Sequence, residues 1–286
     1  MTKTALAATA LAAALWGCDR AARIPAYLSI PEAILTDGID TFRYTGVDDV
    51  WVFHDRDVQG VYPVGKVFPV VPGERDFFTF IGGVWDRGDV ESRKQFPFWT
   101  LDTATLKLEP RETLRYVPTF RYVSPELLSS PFGEDFEGVG VRLQSLTSRP
   151  DSTLLYRTTQ TSFTGATCGR ADFDSTRRHL FLRSNGTFRL PVDDRQVWAE
   201  VAYKGTIKFG LGLLYDDRGT DLVVNAPFVT ATPTDADRWQ IAYFDLTGLA
   251  RSVNNAGDLR LYLTATSDGM ERTLFLDRVR VLYYRR

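Results

Sequence analysis

The feature that most constrains the fold of this chain is a period-two alternation of apolar and polar residues that recurs through its second half. The alternation runs along five segments, 197–203, 207–213, 239–243, 259–263 and 273–284. Because successive side chains of a strand point to opposite faces, each segment is predicted to be a strand with one buried face. Roughly seven or more such strands at regular spacing indicate a β-sandwich.

A β-hairpin is predicted around Asn185-Gly186, a pair that stands between two apolar arms in the run 180–192. Asn-Gly is the preferred pair for a two-residue type I′ turn, because both positions need a positive φ. The cross-strand pairs predicted for this hairpin are Phe181 with Leu190 and Arg183 with Phe188. Further along, the stretch 245–254 is predicted to hold one helical turn.

The first half is also predicted to be all-β, since it is rich in aromatic and β-branched residues and lacks helical periodicity. The predicted strands are 24–30, 49–53, 58–62, 64–71 and 75–85. Pro25 favours an edge position for the first of them. The segment 54–57 is predicted to be a hairpin turn, and the nearly continuous apolar run 77–81 is typical of a strand covered on both faces.

The first eighteen residues have the pattern of an export signal. Lys3 precedes the apolar run 4–17, which is shorter than the roughly 20 residues of a membrane-spanning helix, and Cys18 follows. This arrangement resembles the bacterial lipobox, in which the cysteine becomes the diacylated N-terminus after cleavage. The resemblance implies a signal peptide at 1–17, a lipid on Cys18 and a tether at 18–23. The alternative is an ordinary signal peptide that contains a cysteine and is cut elsewhere.

Part of the first half is similar to the small PEGA and immunoglobulin-like (Ig-like) repeats of bacterial surface proteins. The similarity lies in the order of strands and turns across 50–84, with Pro72-Gly73 before a long strand. The chain also resembles uncharacterised Bacteroidota-type lipoproteins, in which a strand like that at 24–30 closely follows the lipid cysteine. Neither resemblance supplies catalytic residues. Together they imply a small Ig-like domain at 24–123.

The second half is similar to the galactose-binding-like jelly roll. Three stretches carry the similarity, namely Asp-Phe-Glu-Gly at 135–138, the Trp-to-Asp-Leu-Thr stretch at 239–247 and Leu-Asp-x-Val at 276–279. The resemblance implies a jelly-roll domain at 134–286 and leaves 124–133, which contains two prolines, as a linker. The predicted fold is therefore all-β, an N-terminal Ig-like β-sandwich followed by a jelly-roll β-sandwich.

The residue types that carry most enzyme chemistry are sparse. The two histidines, His54 and His179, are far apart in sequence and each lacks an obvious acid–base partner. Neither a zinc-ligand spacing nor a nucleophile elbow, phosphate loop or dinucleotide fingerprint is present. If Cys18 carries lipid, Cys168 has no disulfide partner in the chain and is predicted to be a buried small apolar residue. The sequence therefore predicts a protein that is not an enzyme.

Asp277 is the most unexpected residue in the last predicted strand. In the alternation it shares a face with large apolar residues, whereas Arg278 and Arg280 occupy the other face, so its carboxylate is predicted to point inward. The jelly-roll resemblance implies a structural Ca²⁺ between Glu137 and Asp277. The alternative is that Asp277 accepts hydrogen bonds from backbone N–H groups or pairs with an arginine. No other cofactor is expected.

Three functions remain open at this point. The first is a lipid-anchored, non-enzymatic envelope protein, facing the periplasm or the cell surface on the outer membrane, that binds or scaffolds partner proteins. The second is a glycan-binding lipoprotein that uses the jelly-roll domain, and the third is an enzyme. Lysine plus arginine number 34 against 36 aspartate plus glutamate, for a formal net charge of −2, so nucleic acid is not expected as a partner. Asp19, directly after the cysteine, signals inner-membrane retention in some bacteria.

Overall fold

The computed structural model describes residues 24–36, 41–42, 46–73, 75–147, 149–217, 220–224, 237–252 and 258–286. The predicted signal peptide, the tether and the lipidation site Cys18 lie outside these residues. In the described part of the chain, no helix is both long enough and apolar enough to cross a bilayer. The prediction of an all-β chain built from β-sandwiches is confirmed.

The first half contains eleven strands within the described residues. They are β1 Ala26–Ile30, β2 Ile34–Thr36, β3 Thr41–Phe42, β4 Asp49–His54, β5 Asp57–Pro63, β6 Lys66–Val70, β7 Phe77–Trp85, β8 Arg93–Gln95, β9 Asp102–Thr105, β10 Thr113–Arg115 and β11 Thr119–Arg121. The five-stranded sheet β5-β4-β7-β8, with β9 also on β7, is called the N-sheet below. Two smaller sheets, β10-β1-β6 and β11-β2-β3, complete this half.

Within the described residues, the second half contains a further eleven strands and a short helix. They are β12 Leu128–Glu134, β13 Leu143–Ser145, β14 Tyr156–Thr158, β15 Cys168–Phe173, β16 His179–Ser184, β17 Val197–Gly205, β18 Phe209–Asp217, β19 Thr220–Val224, β20 Gln240–Asp245, α1 Thr247–Ser252, β21 Leu259–Thr266 and β22 Arg272–Tyr284. The helix and the long last strand were both predicted from the sequence and are confirmed.

Two sheets of the second half pack face to face as a jelly-roll sandwich. The middle sheet has the order β14-β15-β22-β17-β20, with β12 also paired to β22, and the distal sheet has the order β13-β16-β21-β18-β19. Apolar residues from both sheets fill the space between them, among them Val201, Leu213, Leu263 and Val281. The alternation along these strands creates this core, since one face of each sheet points into it.

The middle sheet is covered on both faces at its centre. On β17 the odd-numbered residues face the sandwich core, as their alternation predicts. The even-numbered residues were expected to face solvent, but Trp198 and Glu200 are each only 1% exposed. Trp198 instead joins the core of the first half, where its ring centroid lies 5.4 Å from that of Phe96. The prediction of a solvent face for β17 was wrong because the first half packs on it.

The predicted linker at 124–133 is not a free connection. Pro125–Leu127 form a single 3-10 turn, and β12 follows at once and pairs antiparallel with β22. Pro131 is tolerated because the register of β12 shifts between Ser129 and Phe132 and the pairing with β22 resumes beyond it. The segment therefore enters the middle sheet from Leu128 onward, within the range predicted to be linker.

The hairpin predicted at Asn185-Gly186 is wrong. Strand β16 ends at Ser184 and pairs with β13 on one edge and β21 on the other. Since both of its edges are occupied, the residues after Gly186 have no edge of β16 to pair with. Phe188 instead forms an isolated antiparallel bridge with Leu259.

The predictions for the first half have different outcomes. The run 77–81 is not covered on both faces, because Phe78 and Phe80 are buried whereas Phe77 is 41% exposed. The hairpin across 54–57 is confirmed, because β4 and β5 pair through His54 and Asp57 around a tight Asp55-Arg56 turn with φ values of 48° and 80°. The edge position predicted for the first strand is wrong, since β1 lies between β10 and β6. Pro25 stands just before β1, so the missing N–H of this proline removes no hydrogen bond of the sheet.

Candidate functional site

A row of aromatic and cationic side chains crosses the part of the middle sheet that the first half leaves open. The register places Tyr156 beside Arg170, Arg170 beside Phe275 and Phe275 beside Lys204. Trp239 ends the row, with its ring centroid 6.5 Å from that of Phe275. These five residues are called the aromatic row below. They come from five adjacent strands or strand ends, so the row is about 19 Å long at the usual strand spacing.

All five side chains of the aromatic row lie on the face opposite the sandwich core. Their neighbours along the strands, such as Ala171, Leu274 and Tyr203, point into the core, so the pleat turns the row outward. Tyr156 is 45% exposed, and the other four residues of the row are half-buried. The row is therefore accessible to a ligand from solvent.

Arg170 is held rigidly in the centre of this face. Its Nε donates to Asp172 Oδ1 at 2.9 Å, and its guanidinium also donates to Gln160 Oε1. The guanidinium carbon lies 6.0 Å from the ring centroid of Tyr156 and 5.7 Å from that of Phe275, within cation–π range of both. Burial tends to raise the pKa of Asp172, but the hydrogen bonds that its carboxylate accepts from Tyr156 and Arg170 outweigh burial and lower the pKa. The ion pair thus fixes two aromatic rings.

The other end of the aromatic row is built by the loop between β14 and β15. The Nε1 of Trp239 donates to Thr161 Oγ1 at 3.1 Å, and the ring of Phe163 lies 5.8 Å from that of Trp239. The loop therefore fixes the indole and adds a fourth aromatic ring. Sugars are recognised by amphipathic rings together with nearby polar groups, and this face offers both kinds of group.

Asp277 is buried beside this loop, but not on the face that the alternation predicts. The pairing of β17 with β22 shifts between Glu200 and Ala202, and Arg278 has a φ of 43°. This bulge inserts one extra residue into β22, so the strand changes face there. Asp277 consequently lies on the outer face with Phe275, while Val279 and Val281 face the sandwich core. The prediction of burial is confirmed, and the predicted face is wrong.

The carboxylates of Asp277 and Glu137 both bind backbone N–H groups of the same loop. Asp277 Oδ2 accepts from Phe163 and Thr164 at 2.8 and 3.1 Å, and Glu137 Oε1 accepts from Ala166 and Thr167. Burial raises the pKa of Asp277 to about 6, and the charge of Glu137 adds to this rise.

The hydrogen-bonded alternative for Asp277 therefore fits the geometry without a cation, because N–H donors stand where a metal would need oxygen ligands. No group of three or more His, Cys, Asp or Glu side chains that could hold a metal exists within the described ranges. The calcium site at Glu137 and Asp277 stays a prediction. If calcium binds there, a chelator should lower the melting temperature of the protein.

Cys168 lies in the same buried layer and is confirmed as a buried residue. It is a free thiol with no exposed surface. Burial, together with the neighbouring charge of Asp277, raises the pKa of the thiol to about 12. A thiol of this kind is not a nucleophile at neutral pH, since the thiolate is the reactive form.

Both histidines have acidic partners that the sequence did not reveal. His54 Nε2 lies 3.0 Å from Asp76 Oδ1, and His179 Nε2 lies 3.3 Å from Asp151 Oδ2. His54 borders an open cleft of about 1080 Å³ at the β4–β5 turn, and the described residues of its lining include Thr105 but neither serine nor cysteine. Asp55, in the turn, accepts a hydrogen bond from Phe77 N at the start of β7. The carboxylates of Asp55 and Asp76 therefore connect the turn to the segment around the start of β7. The cleft has a His–Asp pair but lacks a partner nucleophile of the Ser or Cys type.

A second set of rings lies on the outer face of the distal sheet. The ring planes of His179 and Phe181 differ by 23°, and those of Phe181 and Tyr262 by 21°. Leu214 on the same face is only 3% exposed, so the part of that face at β18 is closed to solvent. The aromatic row on the middle sheet is therefore the better candidate for a binding site.

The sequence contained only a partial signal for the aromatic row. The alternation of Arg170 and Asp172 with Ala171 and Phe173 marks one polar face of β15. The order β14-β15-β22-β17 that brings Tyr156 and Phe275 to this face depends on long-range pairing, which no local pattern specifies.

Comparison with known proteins gives similar solved structures only. No family model and no curated protein matches the chain. The CBM22-1 xylan-binding domain of Xyn10C from Paenibacillus barcinonensis is 12% identical with a TM-score of 0.39, covering 57% of this chain and 99% of that domain. The K3 adhesin domain of Lys-gingipain from Porphyromonas gingivalis is 15% identical with a TM-score of 0.34, covering 54% and 99%.

A third similar structure is TmCBM61 in complex with β-1,4-galactotriose. It is 10% identical with a TM-score of 0.31, and the match covers 49% of this chain and 86% of that one. Likenesses of this size do not say what the present chain binds. The choice between ligands therefore rests on the geometry of the aromatic row.

Proposed function

We propose that the protein is a non-enzymatic glycan-binding protein and that the aromatic row of the middle sheet holds the sugar chain. The observation that carries the proposal is the alignment of Tyr156, Phe275 and Trp239 across the open part of the sheet, with polar side chains between them. Aromatic rings supply apolar contact area with little loss of conformational freedom, and the adjacent donors and acceptors orient hydroxyl groups.

The shape of the surface supports an extended ligand. The row is about 19 Å long, and it lies on an open sheet face rather than in a closed pocket. An extended oligosaccharide could contact Tyr156 and Trp239 at the same time. The hydrogen bonds of Arg170 and Trp239 fix the row before any ligand binds, which lowers the ordering entropy paid on binding.

Binding of the full chain to a panel of soluble polysaccharides, measured by affinity electrophoresis and calorimetry, tests the proposal. Tyr156→Ala and Trp239→Ala should each weaken binding by about tenfold, because central aromatic contacts dominate interface energies. Tyr262→Ala on the distal sheet is the matched control and should leave the affinity unchanged. Absence of binding to every polysaccharide, or equal loss in all three variants, would contradict the proposal.

A protein partner is the second candidate function, favoured by the outer face of the N-sheet. Trp51, Phe53, Phe77 and Ile81 lie on this face, and none of them belongs to either hydrophobic core. Val58 at the edge of the same sheet is 68% exposed. Phe77 is 41% exposed, and the other three residues are half-buried. Apolar residues left uncovered on one sheet face are typical of protein interaction sites.

A photo-crosslinker placed at position 77 in the full chain tests this second candidate in an envelope extract. A discrete partner should be captured there, and a crosslinker at the exposed Lys66 should not capture it. Phe53→Asp should abolish the capture.

The proposed location is the outer membrane, with a lipid on Cys18 as the anchor. It rests on the resemblance of residues 1–18 to the lipobox. A Cys18→Ser variant should leave the membrane fraction, since the acyl chains would be its anchor. Unchanged membrane association of that variant would overturn the proposal.

A further inference from the structure

Lys204 is the one cation of the aromatic row that has no anionic partner among the described residues. It lies on β17 next to Phe275. Its side chain forms no hydrogen bond or ion pair with the residues that the structure describes. Its neighbour on β17, Tyr203, points into the sandwich core, so Lys204 faces outward with the rings. Lys204 is half-buried on this face, beside Phe275 in the register and one strand from Trp239.

The carboxylates near this face are already engaged. Asp172 accepts hydrogen bonds from Arg170, Tyr156 and Thr273. Asp277 lies below the loop and accepts from backbone N–H groups. Within the aromatic row and Asp172, the charges of Arg170 and Asp172 cancel each other, so Lys204 carries the remaining charge, beside Phe275.

We propose that the glycan bound by the aromatic row is anionic, and that its carboxylate or sulfate group pairs with Lys204. This inference rests on the proposed glycan-binding function and adds the chemical class of the ligand. A sugar ring stacked on Phe275 or Trp239 can bring an acidic substituent to Lys204 Nζ. The ammonium then gains a counter-charge that the described residues of the protein do not provide. A charge-assisted hydrogen bond of this kind is about twice as strong as a neutral one.

The experiment compares pairs of polysaccharides that differ only in charge. Polygalacturonate, alginate and glucuronoxylan are each measured against their carboxyl-reduced forms, and dextran sulfate against dextran. At least one acidic member should bind the full-length protein at least tenfold more tightly than its neutral counterpart. Whether carboxylated or sulfated glycans show the preference identifies the anionic group.

Variants of the lysine separate charge from packing. Lys204→Met should reduce the acidic-over-neutral preference to less than about threefold and make binding less dependent on salt. Lys204→Arg should keep most of the preference, and Lys66→Met, which removes an exposed charge in the first half, should change nothing. Tyr156→Ala should instead weaken acidic and neutral forms by the same factor.

The outcomes distinguish the two proposals. Tight binding of neutral glycans with no preference for the acidic forms would overturn the inference and leave the glycan-binding function intact. Equal binding of polyglutamate, which carries charge without sugar rings, would also overturn the inference. Failure to bind any polysaccharide would overturn both proposals. An acidic preference that survives Lys204→Met would place the anion elsewhere on the protein and overturn the role of Lys204.

Discussion

Glu200 and Arg280, neighbours on β17 and β22, form an ion pair that contacts Tyr122 of the first half. Glu200 accepts from Arg280 Nε on one oxygen and from Tyr122 Oη at 2.8 Å on the other. The guanidinium of Arg280 also lies 4.7 Å from the ring centroid of Tyr122. The Glu200 charge raises the pKa of Arg280, and burial raises the pKa of Tyr122 to about 12, so the arginine stays charged and the tyrosine stays neutral. Both carboxylate oxygens of Glu200 are hydrogen-bonded only while Arg280 and Tyr122 are present.

Arg280→Met should destabilise the protein by about 3–5 kcal/mol, because it leaves the Glu200 carboxylate buried without a counter-charge. The free energy of unfolding in urea measures the effect. The matched control is Arg115→Met, which removes the exposed partner of Glu32 and should cost at most about 1 kcal/mol. Similar small losses in both variants would show that Glu200 is solvated, contrary to the structure.

Asp48 should make the stability of the protein depend on pH. It accepts from Trp85 N at 2.8 Å, and burial raises its pKa to about 7, with Asp49 adding to the rise. The unfolded chain loses this proton near pH 4 and the folded chain near pH 7. The contribution of Asp48 to stability is therefore full below about pH 4 and is lost as the pH rises through 7.

The free energy of unfolding should accordingly fall between pH 5 and pH 8. Asp48→Asn should reduce that fall, because the amide oxygen can still accept from Trp85 N and carries no charge. Asp57→Asn, at an exposed position, should leave the profile unchanged. Urea titrations at three pH values measure the slope. A stability that rises over this interval in the parent protein would contradict the assignment.

Asp277 shows how much of the candidate site could be predicted from the sequence. The burial of Asp277 could be predicted because this residue alternates with large apolar residues in the sequence. Its face could not be predicted, because one extra residue at the Arg278 bulge reverses the alternation. The same bulge ends the set of outward residues that includes Phe275. A local pattern cannot reveal a bulge that depends on pairing with β17.

At the scale of elements, turn chemistry predicted local structure only where the neighbouring strands were free to pair. Asp55-Arg56 forms its hairpin because β4 and β5 pair side by side. Asn185-Gly186 carries the stronger turn signal, yet β16 is already paired on both edges. Strand existence was predicted well from alternation, whereas strand order depends on competition among partners distant in sequence.

The stability of two glycine variants tests whether these strand pairings and turns are correct. Gly205, at the end of β17, has a φ of 133°, and a Cβ there would lie 2.2 Å from the carbonyl oxygen of Thr273. Gly205→Ala should therefore cost about 3 kcal/mol or more, through strain and a backbone clash. Gly186→Ala meets no atom within 4 Å and should change stability by less than about 1 kcal/mol. A large loss at position 186 would restore the predicted hairpin turn.

At the scale of the whole molecule, the two halves share a hydrophobic core. Trp198, Tyr243 and Leu282 from the middle sheet are counted among the buried residues of the first half. Lys94 joins Asp86 of the first half to Asp245 of the second, at 2.9 and 2.8 Å. The alternation predicted the sandwich of the second half, and the resemblance to Ig-like repeats implied another in the first. Neither could predict that the two halves pack together. A sequence pattern does not show whether the more polar face of a strand lies against solvent or against another domain.

The chain from residue 24 onward should therefore unfold as one cooperative unit. Separation of the halves would expose Trp198, Tyr243 and Leu282 and leave Glu200 without Tyr122, so neither half gains by unfolding first. Tryptophan fluorescence and far-UV circular dichroism should give the same urea midpoint, and calorimetric and van't Hoff enthalpies should agree. Trp198→Ala should cost about 3–5 kcal/mol and lower both signals together. Two separated transitions, or early proteolysis confined to 124–133, would show that the shared core contributes little and that the halves behave as independent domains.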